Sequence, residues 1–236
     1  MTTMLGAVEI ERLDRAVRDL HAPTPTVRRI VVTSLESGAG TSTVATLLAR
    51  TLGRHRGGRV LLAGSPAPAG DFSALRPPND AEQAMLPAEA RALVRPWHDA
   101  WRAVDPVDDR GFDVSVYDLG RTADPMRAPA ALAGAHAVVL VAGPARTSGE
   151  NALALADALA AHPDGAATVV AFSNRARSRS PWPRLICERH PRASVVLPYD
   201  RALASGRMAG LSGGTRRGVI ALAGDVMVAR KAEEAR

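Results

Sequence analysis

A glycine-rich segment at residues 33–43, Thr-Ser-Leu-Glu-Ser-Gly-Ala-Gly-Thr-Ser-Thr, contains the residue types and spacing that point most directly to chemistry. Gly38 and Gly40 allow the backbone to curl so that several N–H groups point inward, and a helix that begins just after them adds positive partial charge. The hydroxyl residues at 41–43 can contact phosphate or a Mg²⁺ ion. The segment therefore predicts an anion cradle, and the alternative is a turn that only packs a helix on a strand.

The loop lacks the positive charge of an ordinary phosphate-binding loop. The usual pattern is Gly-x-x-x-x-Gly-Lys-[Ser/Thr], in which the lysine lies against the β- and γ-phosphates. Thr41 stands at the position of that lysine. Because Lys231 is the only lysine in the chain, no nearby lysine can substitute for it. A hydroxyl does not replace a full charge, so phosphate chemistry is expected to be weakened.

Alternating strands and helices must position this loop. A buried strand is expected at 28–34, just before the loop, and a helix at 42–54, just after it. Further strands are expected at 59–63, 113–119, 137–142, 168–173 and 194–197. Further helices are expected at 148–161, at 215–232 and at 81–103, where Pro87 and Pro96 break the helical run into pieces. Such alternation predicts an α/β fold, a mostly parallel, doubly wound sheet with helices on both faces. Ligands of such sheets bind beyond the carboxyl ends of the strands.

The first 27 residues are interpreted as an N-terminal helix and linker, followed by the main domain at 28–236. The helix is expected at 7–20, with an apolar face formed by Ile10, Leu13, Val17 and Leu20. It packs either on its own domain or against a partner or second subunit.

Composition favours a soluble globular protein. Apolar residues make up 46% of the chain and aromatics 3%, so alanine, valine and leucine must fill the core. The net charge is +6, and nearly all of the basic residues are arginines. Cys187 is the only cysteine, which excludes an intrachain disulfide and a cysteine-based metal cluster. No apolar run reaches the roughly 18 residues of a membrane span, and no signal-peptide pattern is seen, so a cytoplasmic location is predicted.

Four more motifs follow the loop in order. Residues 111–120 read Gly-Phe-Asp-Val-Ser-Val-Tyr-Asp-Leu-Gly and include Asp118, and residues 135–142 form the next apolar strand. Asn174 follows the fifth predicted strand, and residues 197–200 read Leu-Pro-Tyr-Asp. With the loop, this series resembles the ParA/MinD family of deviant-Walker ATPases, which position plasmids, division machinery, pili and secretion systems. The resemblance extends from residue 28 to about residue 228.

The resemblance implies a site for ATP or ADP with Mg²⁺, occupied weakly or not at all in this chain. The implied nucleotide-binding residues are Gly38, Ala39, Gly40, Thr41, Ser42, Thr43, Asn174, Pro198 and Asp200. The implied metal-binding residues are Ser42 and Asp118, and Asp118 would act through water. The alternative for Asp118 is that it caps the turn after its strand.

Three departures from the family pattern predict that hydrolysis is lost. Glu36 replaces the signature lysine that reaches the partner's nucleotide, and Thr41 replaces the loop lysine. Gly64 stands where the family has an aspartate that orients the attacking water. Phosphoryl transfer depends on such charges, so no catalytic residue is assigned. Arg121 either supplies compensating charge or is a surface arginine.

Three functions remain as hypotheses. The first is a pseudo-ATPase, similar to TadZ-like localisation factors, that acts with protein partners in a secretion, pilus or division apparatus. The resemblance to the family also implies a homodimer. The second is a Mg²⁺-dependent ATPase with unconventional residues at the γ-phosphate. The third is nonspecific DNA binding by a basic cluster after the fifth strand, for which the alternative is a solvated surface. That cluster consists of Arg175, Arg177, Arg179, Arg184, Arg189 and Arg192. Direct membrane binding is not expected, because residues 230–236 mix both signs of charge.

Overall fold

A computed structural model describes residues 2–24, 26–56, 59–64, 92–96, 111–121, 135–161, 166–190 and 193–229. The strands are β1 (Arg28–Ser34), β2 (Val60–Gly64), β3 (Ala92–Pro96), β4 (Val114–Arg121), β5 (Ala137–Ala142), β6 (Ala167–Ser173) and β7 (Ala193–Leu197). The helices are α1 (Thr2–Leu20), α2 (Thr41–Arg56), α3 (Arg146–Ala161), α4 (Trp182–Arg189), α5 (Arg201–Ala204) and α6 (Gly213–Val228).

The seven strands form one parallel sheet in the order β3-β2-β4-β1-β5-β6-β7. β1 lies near the centre, between β4 and β5, and its last five residues are buried. A strand buried on both faces requires a nearly continuous apolar run, which Ile30, Val31 and Val32 provide. The predicted α/β class with a parallel sheet is confirmed, and β1 delivers the glycine-rich loop to the carboxyl edge of the sheet.

Helices cover both faces of the sheet and form two separate cores. On one face, Ile30 and Val32 of β1 pack with residues of α2 and α6 such as Leu48 and Leu222. On the other face, Val31 packs with residues of the β5, β6 and α3 region, for example Leu140, Leu155 and Phe172. Successive strand side chains point to opposite faces, so β1 contributes to both cores and is held in place from both sides.

The helix expected at 81–103 is wrong at residues 92–96. These residues form β3, an edge strand that pairs with β2 from Val60↔Ala92 to Gly64↔Pro96. The rest of that predicted helix lies outside the described residues. A short apolar run such as Ala-Leu-Val does not distinguish a strand from a helix. Pairing with β2 decides the outcome, and an edge position tolerates the proline at the end.

The N-terminal helix packs on its own domain. α1 crosses α6 so closely that a Cβ added to Gly224 would lie 2.6 Å from the carbonyl oxygen of Ala16. Below it, the Arg56 guanidinium donates to the carbonyl of Leu20 at 2.6 Å and to that of Ala22 at 2.9 Å. The predicted apolar face is wrong at Ile10, which is 62% exposed, because the close crossing uses small residues nearer the end of the helix.

Candidate phosphate-binding site

The loop between β1 and α2 has the backbone that an anion cradle requires. Gly38 and Gly40 have φ angles of 76° and 97°, which lie in the left-handed region that favours glycine. Gly40 also lacks room for a side chain, because an added Cβ would lie 3.0 Å from Arg175 Cδ and 3.0 Å from Ser173 Oγ. α2 begins directly after Gly40, so its first N–H groups face the loop.

The side chain at the lysine position turns inward. Thr41 is 7% exposed, and its hydroxyl donates to Ser34 Oγ at 2.8 Å. The Ser34 hydroxyl in turn donates to the carbonyl of Glu36 at 2.9 Å. These bonds join the start of α2 to the end of β1, so the Thr41 side chain supports the loop from beneath.

The carboxylate at the signature-lysine position is held within its own chain. The Ser148 hydroxyl donates to Glu36 Oε2 at 2.8 Å, and the N–H of Gly143 donates to Ser148 Oγ at 2.7 Å. Ser148 lies in the first turn of α3 and is 4% exposed. This chain of hydrogen bonds ties the loop to the segment that follows β5.

Asp118 and Ser42, the two predicted metal-binding residues, are brought together. Asp118 Oδ1 accepts the N–H of Gly120 at 2.9 Å, and the Asp118 carboxylate also accepts the Ser42 hydroxyl. Burial raises the pKa of Asp118, while these two hydrogen bonds oppose the rise. Hydroxyl and carboxylate oxygens are ligands that suit Mg²⁺, so the pair fits the metal that the resemblance implies.

Gly64 lies directly opposite this pair. In the sheet, Gly64 of β2 is in register with Asp118 of β4. The position at which the resemblance implies a water-orienting aspartate is therefore beside the predicted metal-binding pair and carries no side chain.

Two arginines donate to carbonyl groups of the loop. Arg121 Nε donates to the carbonyl of Leu35 at 3.3 Å, and Arg175 Nη1 donates to the carbonyl of Gly38 at 3.0 Å. Of these two, the sequence predicts only Arg121 for this region and assigns Arg175 to the basic cluster. The signal for Arg175 was its position just after β6, because the carboxyl ends of parallel strands share one edge of the sheet.

Asn174 uses its amide to close the turn after β6. Its Nδ2 group donates to the carbonyl of Ser178 at 2.7 Å, and its Oδ1 accepts the N–H of Ser178 at 2.8 Å. Within that turn Arg177 has a φ of 56°, which is uncommon for a residue with a side chain. The contact of Asn174 with a base stays a prediction.

Asp200 holds the segment after β7 together. Its Oδ1 accepts the N–H of Ala202 at 2.8 Å, and its Oδ2 accepts the N–H of Ser212 at 2.8 Å. Burial opposes ionisation of Asp200, but hydrogen bonds from Ser212, Thr215 and Ala202 lower its pKa. The carboxylate therefore caps α5 and anchors the loop that leads to α6. Pro198 lies nearby and is exposed, and the nucleotide role of both residues stays a prediction.

Some arginines of the basic cluster make contacts within the chain. Arg175 contacts the loop, as described above. The Cζ atom of Arg177 lies 5.4 Å from the centre of the Tyr199 ring, and Arg184 Nε forms an ion pair with Glu188 Oε1 at 3.0 Å. Arg192 lies outside the described residues. Several of these guanidinium groups thus have partners within the chain.

The chain has an α/β fold of the P-loop NTPase-like type. Comparison with solved structures narrows the fold further, because the chain has the fold of ParA/MinD ATPases. It is similar to a ParA family ATPase from Chlorobium tepidum, with a TM-score of 0.61, 15% identity and coverage of 85% of this chain and 98% of that one.

Two further solved structures are similar to a comparable degree. The cell division ATPase MinD of Pyrococcus furiosus has a TM-score of 0.59 and 19% identity, with 85% and 98% of the two chains covered. MinD of Pyrococcus horikoshii, complexed with Mg-ADP, has a TM-score of 0.58 and 18% identity, with 84% and 95% covered. No family model and no curated protein sequence matches the chain.

Proposed function

We propose that the chain is a ParA/MinD-like pseudo-ATPase, a cytoplasmic positioning or adaptor subunit of a secretion, pilus or division apparatus. The observation that carries the proposal is that Thr41 and Glu36, which replace the two lysines of the family pattern, are both hydrogen-bonded within the chain. Thr41 is hydrogen-bonded to Ser34 at 2.8 Å, and the Glu36 carboxylate is hydrogen-bonded to Ser148 at 2.8 Å. Neither side chain offers positive charge to a phosphate, and both are used to support the loop.

The expected consequence is very slow hydrolysis. Removing one group that stabilises transition-state charge commonly lowers the rate by a factor of about 10² to 10³. Here two lysines are replaced, and the residue opposite Asp118 is Gly64. A carboxylate at position 36 also repels a developing phosphate charge.

Binding of a nucleotide is compatible with these losses. The N–H groups of the loop and of the first turn of α2 would hold phosphate oxygens. Ser42 and Asp118 would hold Mg²⁺, which supplies positive charge to the phosphates when it is bound. The MinD of Pyrococcus horikoshii, which shares the fold, is complexed with Mg-ADP, and this supports a site of the same kind here.

Phosphate release tests the proposal. The wild type and an Asp118→Ala variant are incubated with ATP and Mg²⁺, and inorganic phosphate is measured over time. Equal, background-level release from both proteins is the expected result. Mg²⁺-dependent release that Asp118→Ala abolishes would overturn the pseudo-ATPase assignment. It would favour the second candidate, a Mg²⁺-dependent ATPase, which the contact between Ser42 and Asp118 supports.

A lysine-restored variant sharpens the same assay. Glu36→Lys combined with Thr41→Lys returns both charges to the loop, while Gly64 remains unchanged. Binding of ATP by calorimetry should strengthen in this variant. A gain of binding without a gain of turnover would show that the position of Gly64 also limits the chemistry.

A further inference from the structure

We infer that Arg175 is the residue that supplies positive charge to a phosphate group bound by this loop, in the place of the missing lysine. The inference rests on the proposed function, because it concerns the same site. It names as ligand class a nucleoside diphosphate or another molecule with a pyrophosphate group. Arg175 reaches the loop from β6, on the opposite side from β4, whereas a loop lysine would extend from the start of α2.

The position of Arg175 is fixed by close contacts with the loop. Its aliphatic stem lies against Gly40, since a Cβ added there would be 3.0 Å from Cδ and 3.6 Å from Cγ. Its Nη1 group donates to the carbonyl of Gly38 at 3.0 Å. A guanidinium carries several N–H donors in a planar fork, so one bond to a carbonyl leaves others able to bind oxygen anions.

Among the described residues, no carboxylate forms an ion pair with Arg175. The nearest acidic group of the loop, Glu36, is hydrogen-bonded to Ser148 instead. Arg175 also lies close to the N-terminus of α2, which has positive partial charge. Two positive groups side by side repel each other, and an anion between them would relieve the repulsion.

Arginine suits this position for a chemical reason. Its planar guanidinium pairs with phosphate oxygens through two parallel hydrogen bonds, and it keeps its charge at all physiological pH values. It carries out the electrostatic role of the loop lysine in binding, but its head group is held by the carbonyl of Gly38. This geometry supports retention of a ligand rather than movement with a transferring phosphate.

Calorimetric titration with ADP and Mg²⁺, and separately with pyrophosphate and Mg²⁺, tests the inference. The wild type should bind both ligands, and Arg175→Ala should weaken each at least about tenfold, as expected for loss of a hydrogen bond to a charged group. Arg175→Lys should bind with intermediate affinity. Arg179→Ala, an exposed arginine of the same segment, is the matched control and should bind like the wild type. Thermal melting of each variant confirms that it is folded.

Two outcomes would overturn the inference. One is binding by Arg175→Ala that equals that of the wild type, and the other is a wild type that binds neither ligand. Both leave the pseudo-ATPase proposal intact, because that proposal fails only if Mg²⁺-dependent phosphate release is observed. If ADP binds but pyrophosphate does not, the base contributes, and the effect of Arg175→Ala on ADP alone decides the inference.

Discussion

At the scale of single residues, Ser148 connects two parts of the site that lie far apart in the sequence. It accepts a hydrogen bond from the N–H of Gly143 and donates one to Glu36. The carboxylate of Glu36 is exposed, whereas Ser148 is buried. Ser148 therefore fixes the position of the Glu36 carboxylate beside the loop.

Ser148→Ala is expected to lower the free energy of unfolding by about 1–3 kcal/mol, because the buried N–H of Gly143 loses its acceptor. The exposed Thr147, which precedes it in α3, offers a matched control, and Thr147→Ala should change stability by less than about 0.5 kcal/mol. Urea unfolding followed by circular dichroism measures both. Equal stability of the Ser148→Ala variant and the wild type would show that the hydrogen-bond chain adds nothing.

Asp118 gives a prediction in which the size of a stability difference depends on pH. Burial raises its pKa above the ordinary value of 3.8, so the folded state binds the proton more tightly than the unfolded state does. Ionised Asp118 therefore destabilises the folded state when the pH exceeds the raised pKa. This destabilisation is absent below pH 3.8, where the carboxyl is protonated in both states.

Asp118→Asn keeps an oxygen acceptor and removes the charge. At neutral pH and without Mg²⁺, this variant should melt at a higher temperature than the wild type, and the difference should shrink in acid. Thermal melts across the pH range provide the measurement. A variant that melts lower at neutral pH would show that the hydrogen bonds of the ionised carboxylate outweigh its desolvation.

At the scale of secondary-structure elements, Asp200 holds a short helix and the loop after it. Asp200→Ala removes the acceptor for the N–H groups of Ala202 and Ser212. A lost N-cap costs about 0.5–2 kcal/mol, and the second unpaired donor adds to this. Asp200→Asn, whose side chain can still cap the helix, should lose less stability than Asp200→Ala. Chemical denaturation of the wild type and the two variants measures the free energies of unfolding that test this order.

The contribution of Asp200 also depends on pH, with the opposite sign to that of Asp118. Its pKa is lowered in the folded state, so its stabilisation is fully present above the ordinary value of 3.8 and is lost as the pH falls through the lowered pKa. The stability gap between the wild type and Asp200→Ala should be constant near neutrality and narrow only in strong acid. A gap that widened in acid would contradict the assigned hydrogen bonds.

The crossing of α1 over α6 depends on a glycine. Gly224→Ala would place a Cβ 2.6 Å from the backbone of Ala16, so one helix must shift. Overpacking of this kind costs about 1–3 kcal/mol, although alanine itself favours a helix. Arg216→Ala, on the exposed face of α6, is the control and should have little effect. If Gly224→Ala melts at the same temperature as the control, the two helices can move apart at this crossing without loss of stability.

At the scale of the whole molecule, the hydrogen bond of Glu36 within its own chain leads to a prediction about how the oligomeric state responds to nucleotide. In the family that the chain resembles, the signature lysine reaches the partner's nucleotide, but Glu36 bonds to Ser148 of its own chain. The oligomeric state is therefore expected to be the same with ATP, with ADP and without nucleotide. Analytical ultracentrifugation under the three conditions measures it. A dimer that forms only with ATP would contradict this prediction.

Much of the fold could be predicted from the chain itself. Apolar β-branched runs such as those at β1 and β5 fix buried strands, because only such residues can fill both faces of a parallel sheet. Glycines with left-handed φ angles fix the loop at Gly38 and Gly40. The absence of lysine from the loop is a property of the residue types alone. The expected loss of hydrolysis also depends on the resemblance to the ParA/MinD family.

Tertiary structure decided what local patterns leave ambiguous. Residues 92–96 form a strand because β2 offers them a pairing edge, and Ile10 is exposed because α1 meets α6 at Ala16 instead. Contacts between distant residues, such as Arg175 with Gly38, have no local signature, since they form only when β1 and β6 end at the same edge of the sheet. The sequence by itself determined which charges are missing from the site, and the folded chain determined which side chain stands where a charge is needed.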